Sequence, residues 1–235
     1  MLNKLLTLAA LAAAATLAHA EPATPLVVTD YDAPYAAQTF PRQGSWLGLY
    51  CTGQACELRA ADVQIVSMLT EHMDAPVQTE SLLVSGQPLA LFHGVDLSPG
   101  AVDGWFVANR PPQESGAHQQ LSRLGRWHLP WGATPLTLSW VQLPDHGGYR
   151  YHLSDGHRKQ FLFGTADEGE HGGETTPFVQ WAGDIDGDGE IDLLVSLPDD
   201  TCGYDERLYL SSQAGPGQFL RKAAQLHGGF AACGC

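Results

Sequence analysis

Four aspartates stand at alternate or near-alternate places in Asp184-Ile185-Asp186-Gly187-Asp188-Gly189-Glu190-Ile191-Asp192. With Asp184 as position one, Asp186, Asp188 and Asp192 occupy positions three, five and nine. In a loop that curls round an ion, odd positions face inward, and glycines at positions four and six (Gly187 and Gly189) permit the tight bend. The main-chain carbonyl of Glu190 then supplies position seven. A donor set made of carboxylates and carbonyls suits a hard cation with six to eight oxygen ligands, which is calcium, whereas zinc or copper would want nitrogen or sulfur. Magnesium is the weaker rival. An acidic turn without an ion is the plainer alternative, but four carboxylates so close together repel one another unless a cation lies among them.

The segments around this loop decide which calcium unit it is. An EF-hand needs a bidentate glutamate at position twelve and a helix on each side, whereas position twelve is Val195 and the flanks read as strands. The order Gly-Asp-x-Asp-Gly-Asp-Gly-x-x-Asp, running from Gly183 to Asp192 and followed by Leu193-Leu194-Val195, resembles the FG-GAP or VCBS-like repeat of exported bacterial proteins and integrin propellers. The resemblance covers residues 178–197 and implies a calcium loop joining two strands, within a unit spanning residues 178–213. It also implies the ligands Asp184, Asp186, Asp188, Glu190 through its main chain, and Asp192. The unit occurs once, so a local calcium hairpin is expected and a full propeller is not.

Elsewhere, no nucleophile elbow, zinc-protease helix, phosphate-cradling loop or dinucleotide fingerprint is present. A dispersed triad using a serine with His93 or His157 and an aspartate is possible in composition, and Glu71, Asp74 and Glu80 are carboxylates that only the fold can bring together. Trp46, Trp105, Trp127, Trp131, Trp140 and Trp181 either fill the core of a β protein or form a platform for sugar rings, with Trp127 and Trp131 the pair to examine for exposure.

Short β-branched and aromatic runs between Gly, Pro and Asp breaks predict strands at Ser45–Cys51, Cys56–Val66, Gln78–Val84, Leu89–Val95, Gly104–Ala108, Leu136–Leu143 and Tyr149–Leu153. Asp155-Gly156 predicts a type I′ hairpin between Tyr149–Ser154 and His157–Phe163. Gln218–Leu226 has the length for a short helix, and Gly164–Thr176 reads as an exposed acidic loop. The fold class expected is mainly β: antiparallel sheets, sandwich-like or irregular, in one domain over residues 44–235, preceded by a lead-in over residues 21–43 that runs extended across the surface.

The first twenty residues carry Lys4, an apolar run from Leu5 to Leu17 and Ala18-His19-Ala20, the pattern of a secretory signal peptide cleaved after Ala20. The apolar run is about 13 residues, short of the roughly 20 needed to span a bilayer. About 215 residues then remain, enough for one β domain with a real core. Export delivers Cys51, Cys56, Cys202, Cys233 and Cys235 to an oxidising compartment. The expected bonds are Cys51–Cys56, closing a hairpin, and Cys202 to Cys233 or Cys235. With 26 acidic and 12 basic residues the chain is strongly anionic, which argues against nucleic acid as a partner. These observations imply a periplasmic or secreted, non-enzymatic binding module for a protein or polysaccharide partner, in which calcium is structural. A carbohydrate-binding module and a hydrolase with a dispersed site are the alternatives.

Overall fold

The computed structural model describes residues 24–72, 75–107, 126–130, 135–143, 149–165, 177–197 and 203–231. Numbered in chain order, the strands begin with β1 (Leu26–Val28), β2 (Tyr35–Ala36), β3 (Trp46–Thr52), β4 (Ala55–Ala61), β5 (Val63–Thr70), β6 (Val77–Val84), β7 (Ala90–His93) and β8 (Gly100–Val107). They continue with β9 (Arg126–Leu129), β10 (Leu136–Gln142), β11 (Tyr149–Ser154), β12 (Lys159–Thr165), β13 (Phe178–Asp184), β14 (Asp192–Ser196), β15 (Gly203–Leu210) and β16 (Arg221–Gly229). No helix occurs among the described residues, and every strand pairing is antiparallel.

A nine-stranded sheet in the order β1-β7-β3-β4-β8-β13-β14-β15-β16 dominates the molecule. Its two edges approach each other, with the Gln225 N–H donating to the Pro25 carbonyl at 3.3 Å, so the sheet is nearly closed and barrel-like. One apolar cluster joins Val27, Leu49, Leu58, Phe92, Trp181, Leu194 and Leu208 from strands all round this sheet. A four-stranded sheet, β12-β11-β10-β9, covers the other face of β13–β15, where Leu138, Tyr151, Leu153 and Phe163 meet Val179, Leu193 and Val195. β14 is therefore buried on both faces, which is why Leu193-Leu194-Val195 is an unbroken apolar run and not an alternating one. A three-stranded sheet, β2-β6-β5, packs through Tyr35 and Leu82 against Val28, Trp46, Leu91 and Tyr204.

The all-β, antiparallel expectation holds, and no propeller is present among the described residues. Four local expectations need correction. Residues 24–44 do not simply run over the surface: β1 and β2 lie there, and Val27, Val28, Tyr35 and Phe40 are buried. Gln218–Leu226 is not helical. Most of it belongs to β16, where Ala224 and Leu226 are buried at a period of two and the partner strand β15 supplies the hydrogen bonds that a helix would make internally. The run Cys56–Val66 divides at Asp62 into β4 and β5, which belong to different sheets. The hairpin at Asp155-Gly156 forms, but Ser154 pairs with Lys159 and Asp155 has no positive φ, so the turn is a four-residue loop and not type I′. The Asp155 carboxylate accepts the N–H of His157 at 2.8 Å and of Arg158 at 2.6 Å, and these backbone hydrogen bonds hold its pKa down at about 2.

Candidate metal centre

The loop of residues 185–191 is suspended between β13 and β14, central strands of the nine-stranded sheet. Asp184 closes β13 and Asp192 opens β14. Gly183 allows the neighbouring strand β8 to come close: a Cβ there would lie 2.1 Å from the Asp103 carbonyl oxygen. Within the loop, Gly187 and Gly189 have φ of +82° and +85°, the left-handed region that L side chains rarely adopt.

These bends turn backbone N–H groups toward the first aspartate. Its Oδ1 accepts from Gly187 at 2.7 Å and Asp188 at 3.1 Å, and its Oδ2 from Gly189 at 2.8 Å. The Glu190 N–H donates to Asp188 Oδ1 at 2.9 Å. The result is a cup in which carboxylate oxygens of Asp184, Asp186 and Asp188 all lie within 4.8 Å of one another, a group able to hold a metal ion. Asp186 Oδ1 is buried and has no hydrogen-bond partner. Burial first, and the charges of Asp188 and Asp184 after it, push the Asp186 pKa up. A cation would reverse that pressure by giving the orphaned oxygen a ligand and the three charges a counterion.

The turn after β15 grips the loop from the side. Ser211 Oγ donates to Asp188 Oδ2 at 2.8 Å, and Ser212 Oγ donates to Asp186 Oδ2. Asp192 stands behind the cup. Its side chain is fully buried, with Oδ2 accepting the Ile185 N–H at 2.9 Å and Oδ1 the Ser211 N–H at 2.8 Å. Burial raises its pKa to about 7 in spite of those hydrogen bonds. Three of the five residues expected from the sequence, Asp184, Asp186 and Asp188, thus converge. The Asp192 carboxylate braces the loop against the β15–β16 turn, and Glu190 is half-buried with its backbone tied to Asp188. Ser211 and Ser212 were not legible in the sequence, because only the β14–β15 register brings their turn beside a loop more than twenty residues away.

No family model, curated protein or solved structure matches this chain. The centre must therefore be read from its own chemistry.

The remaining candidates are dispersed. Cys51 and Cys56 form the expected disulfide, across a directly opposed pair of the β3–β4 hairpin, whose two-residue turn begins with Gly53 at φ +63°. A disulfide of this kind points to an oxidising compartment. Cys202, Cys233 and Cys235, Asp74, Trp131, the signal-peptide residues and most of the acidic loop lie outside the described residues. Trp46 and Trp181 are core residues. Trp105 and Trp127 are half-buried and tilted 41° to each other at 5.2 Å, a packed pair and not a flat sugar platform. His93 is buried against the Gln43 carbonyl, His157 lies in the exposed hairpin turn, and Glu71 is exposed. Glu80 is buried and engaged by the Phe40 N–H and Arg42. Among the described residues no helix is long and apolar enough to cross a membrane.

Proposed function

We propose that this protein is an exported calcium-binding β protein of the FG-GAP or VCBS-like type, in which the ion is structural and the β scaffold serves as a binding module for a protein or polysaccharide partner. The observation that carries this reading is the convergence of Asp184, Asp186 and Asp188 in a preformed cup with a buried Asp186 oxygen lacking any hydrogen-bond partner. The oxygen-only donor set favours calcium over zinc or copper. Asp192 and the Glu190 carbonyl complete the ligand set implied by the resemblance.

A structural ion fits where the loop sits, because it would neutralise like charges at the junction of two central strands and stabilise the folded form by mass action. Extracellular calcium modules commonly bind at roughly 10⁻⁴ to 10⁻³ M, matched to a calcium-rich exterior. The strong net negative charge, formally −14, disfavours nucleic acid as the partner.

The test is the melting temperature of the mature, oxidised protein after chelation, titrated with calcium and with magnesium, beside an Asp188→Ala variant. A rise with calcium, smaller or absent with magnesium and lost in the variant, supports the reading. No rise with either ion overturns it.

A further inference from the structure

The outer face of the four-stranded sheet is positively charged in an acidic protein. Arg126 on β9, Arg150 on β11 and Lys159 on β12 are exposed there, on the side opposite the core that Leu129, Leu138 and Leu153 help to fill. The strand registers set Arg126, Ser139, His152 and Phe161 on one rung of this face, Lys159 opposite Ser154 on the rung to one side, and Arg150 opposite Val141 on the rung to the other. None of the four strands contains Asp or Glu. Four arginines elsewhere meet carboxylates of their own chain, as Arg42–Glu80, Arg59–Glu57, Arg158–Asp155 and Arg207–Asp205. Arg126, Arg150 and Lys159 form no ion pair among the described residues, although the net charge of the chain is −14. Their field is felt within the face: burial first, then the Lys159 charge with Arg150 adding to it, pulls the His152 pKa down against a backbone hydrogen bond at Arg150. Phe161 is 55% exposed and meets His152 at 5.7 Å with the ring planes 69° apart.

We propose that this face binds a carboxylate-bearing polysaccharide, a chain of uronic-acid sugars, which names a partner class for the binding module put forward above and rests on that reading. A guanidinium presents paired N–H donors that match a carboxylate, so Arg126 and Arg150 each suit one acidic sugar. Between them, the Ser139 hydroxyl and the His152 imidazole offer donors and acceptors to sugar hydroxyls, and the exposed Phe161 ring offers an apolar plane to the C–H face of a sugar. Other anionic partners suit the layout less well. The cations stand one or two strands apart, about 5–10 Å across the sheet. Duplex DNA carries a charge roughly every 1.7 Å, and the rest of this anionic molecule repels so dense a polyanion. Protein interfaces have an apolar centre and a polar rim. Here Ser139 and His152 hold the centre, and the exposed apolar side chains Val141 and Phe161 stand apart on β10 and β12.

Titration calorimetry of the mature, oxidised protein with oligogalacturonate tests the proposal, at a fixed excess of calcium and with oligomers too short to gel. Binding is expected that weakens with added salt and is lost with the methyl-esterified oligomer, which keeps the sugar but not the charge. Arg126→Ser and Arg150→Ser should each weaken binding several-fold and together abolish it, with the circular dichroism spectrum and melting temperature preserved, since both side chains are exposed. Arg59→Ser, which removes the same charge from β4, should leave binding intact. Phe161→Ala should weaken binding of oligogalacturonate and not of polyglutamate. No binding of oligogalacturonate overturns the proposal, including the case in which the chain's own carboxylates between β12 and β13, outside the described residues, already hold these cations. Polyglutamate bound as tightly as the sugar, with neither sensitive to Phe161→Ala, overturns the sugar assignment in favour of an acidic protein segment. Dextran sulfate bound where oligogalacturonate is not overturns the carboxylate assignment. The calcium-induced rise in melting temperature is read on the same preparation and does not depend on this face, so the metal reading and this one fail separately.

Discussion

Gly183 and Gly189 illustrate two different reasons for a glycine in one motif. A Cβ at Gly183 would lie 2.1 Å from the Asp103 carbonyl oxygen, so an added methyl must push two paired central strands apart. At Gly189 the space is open and only the φ of +85° resists a side chain. Gly189→Ala should therefore cost about 1 kcal/mol, while Gly183→Ala should cost clearly more, roughly 2–3 kcal/mol or failure to fold. Urea unfolding of the two variants side by side checks the order, and equal costs would mean that β8 can move away freely. The glycine pattern was visible in the sequence as a loop signal. That Gly183 serves strand packing and Gly189 serves the bend was not, because the first depends on a neighbour from another part of the chain.

A buried carboxylate joins the two loops at this end of the sheet, in addition to the contacts of the Ser211 and Ser212 hydroxyls with Asp188 and Asp186. Asp192 receives the Ile185 N–H from its own loop and the Ser211 N–H from the β15–β16 turn. Asp192→Ala would leave two backbone donors without acceptors, at a cost of about 2–4 kcal/mol. Faster hydrogen exchange should follow at both Ile185 and Ser211. If exchange quickens at Ile185 alone, the two loops are not coupled through this residue. Element types were largely readable from residue patterns, as with the Asp155-Gly156 hairpin, whereas Arg221–Gly229 is a strand because β15 offers it an edge.

Inside the nearly closed sheet lies a polar group that no local pattern announced. A register shift between Val179 and Trp181 leaves Gln180 as the extra residue, with its side chain buried. Its amide donates to Thr29 Oγ1 at 2.8 Å and to Glu206 Oε2 at 3.2 Å, while Ser196 Oγ donates to Glu206 Oε1 at 2.7 Å. Thr29, the residue after β1, is thereby linked by side chains to β13, β14 and β15. Burial outweighs these hydrogen bonds and raises the Glu206 pKa from 4.5 to about 7. Between those values the folded protein keeps a proton that the unfolded chain has released. This group's contribution is therefore fully present below about pH 4.5, is lost as pH rises toward 7 and stays absent above, a loss on the order of 3 kcal/mol. Glu206→Gln should remove that dependence, so the stability difference between variant and wild type should move in the variant's favour from about pH 4 to about pH 8. A difference that is flat with pH would show that Glu206 titrates near its ordinary value in the folded state.

The convergence of Asp184, Asp186 and Asp188 was legible from sequence alone because a tight loop is a local object: its carboxylates lie within a few residues of one another, and their alternation with glycines at fixed places already determines that they converge. The cross-strand disulfide was legible for the same reason, since Cys51 and Cys56 flank a two-residue turn. The β class followed from the spacing of short apolar runs. Only the tertiary structure decided that nine strands curl into a nearly closed sheet, that Val27 and Tyr35 belong to the core, that Ser211 and Ser212 hold the aspartate loop, and that Glu206 is buried. Each of these depends on strand order and register between segments distant in the chain, where backbone pairing and burial, and not local residue preference, determine which side chains meet.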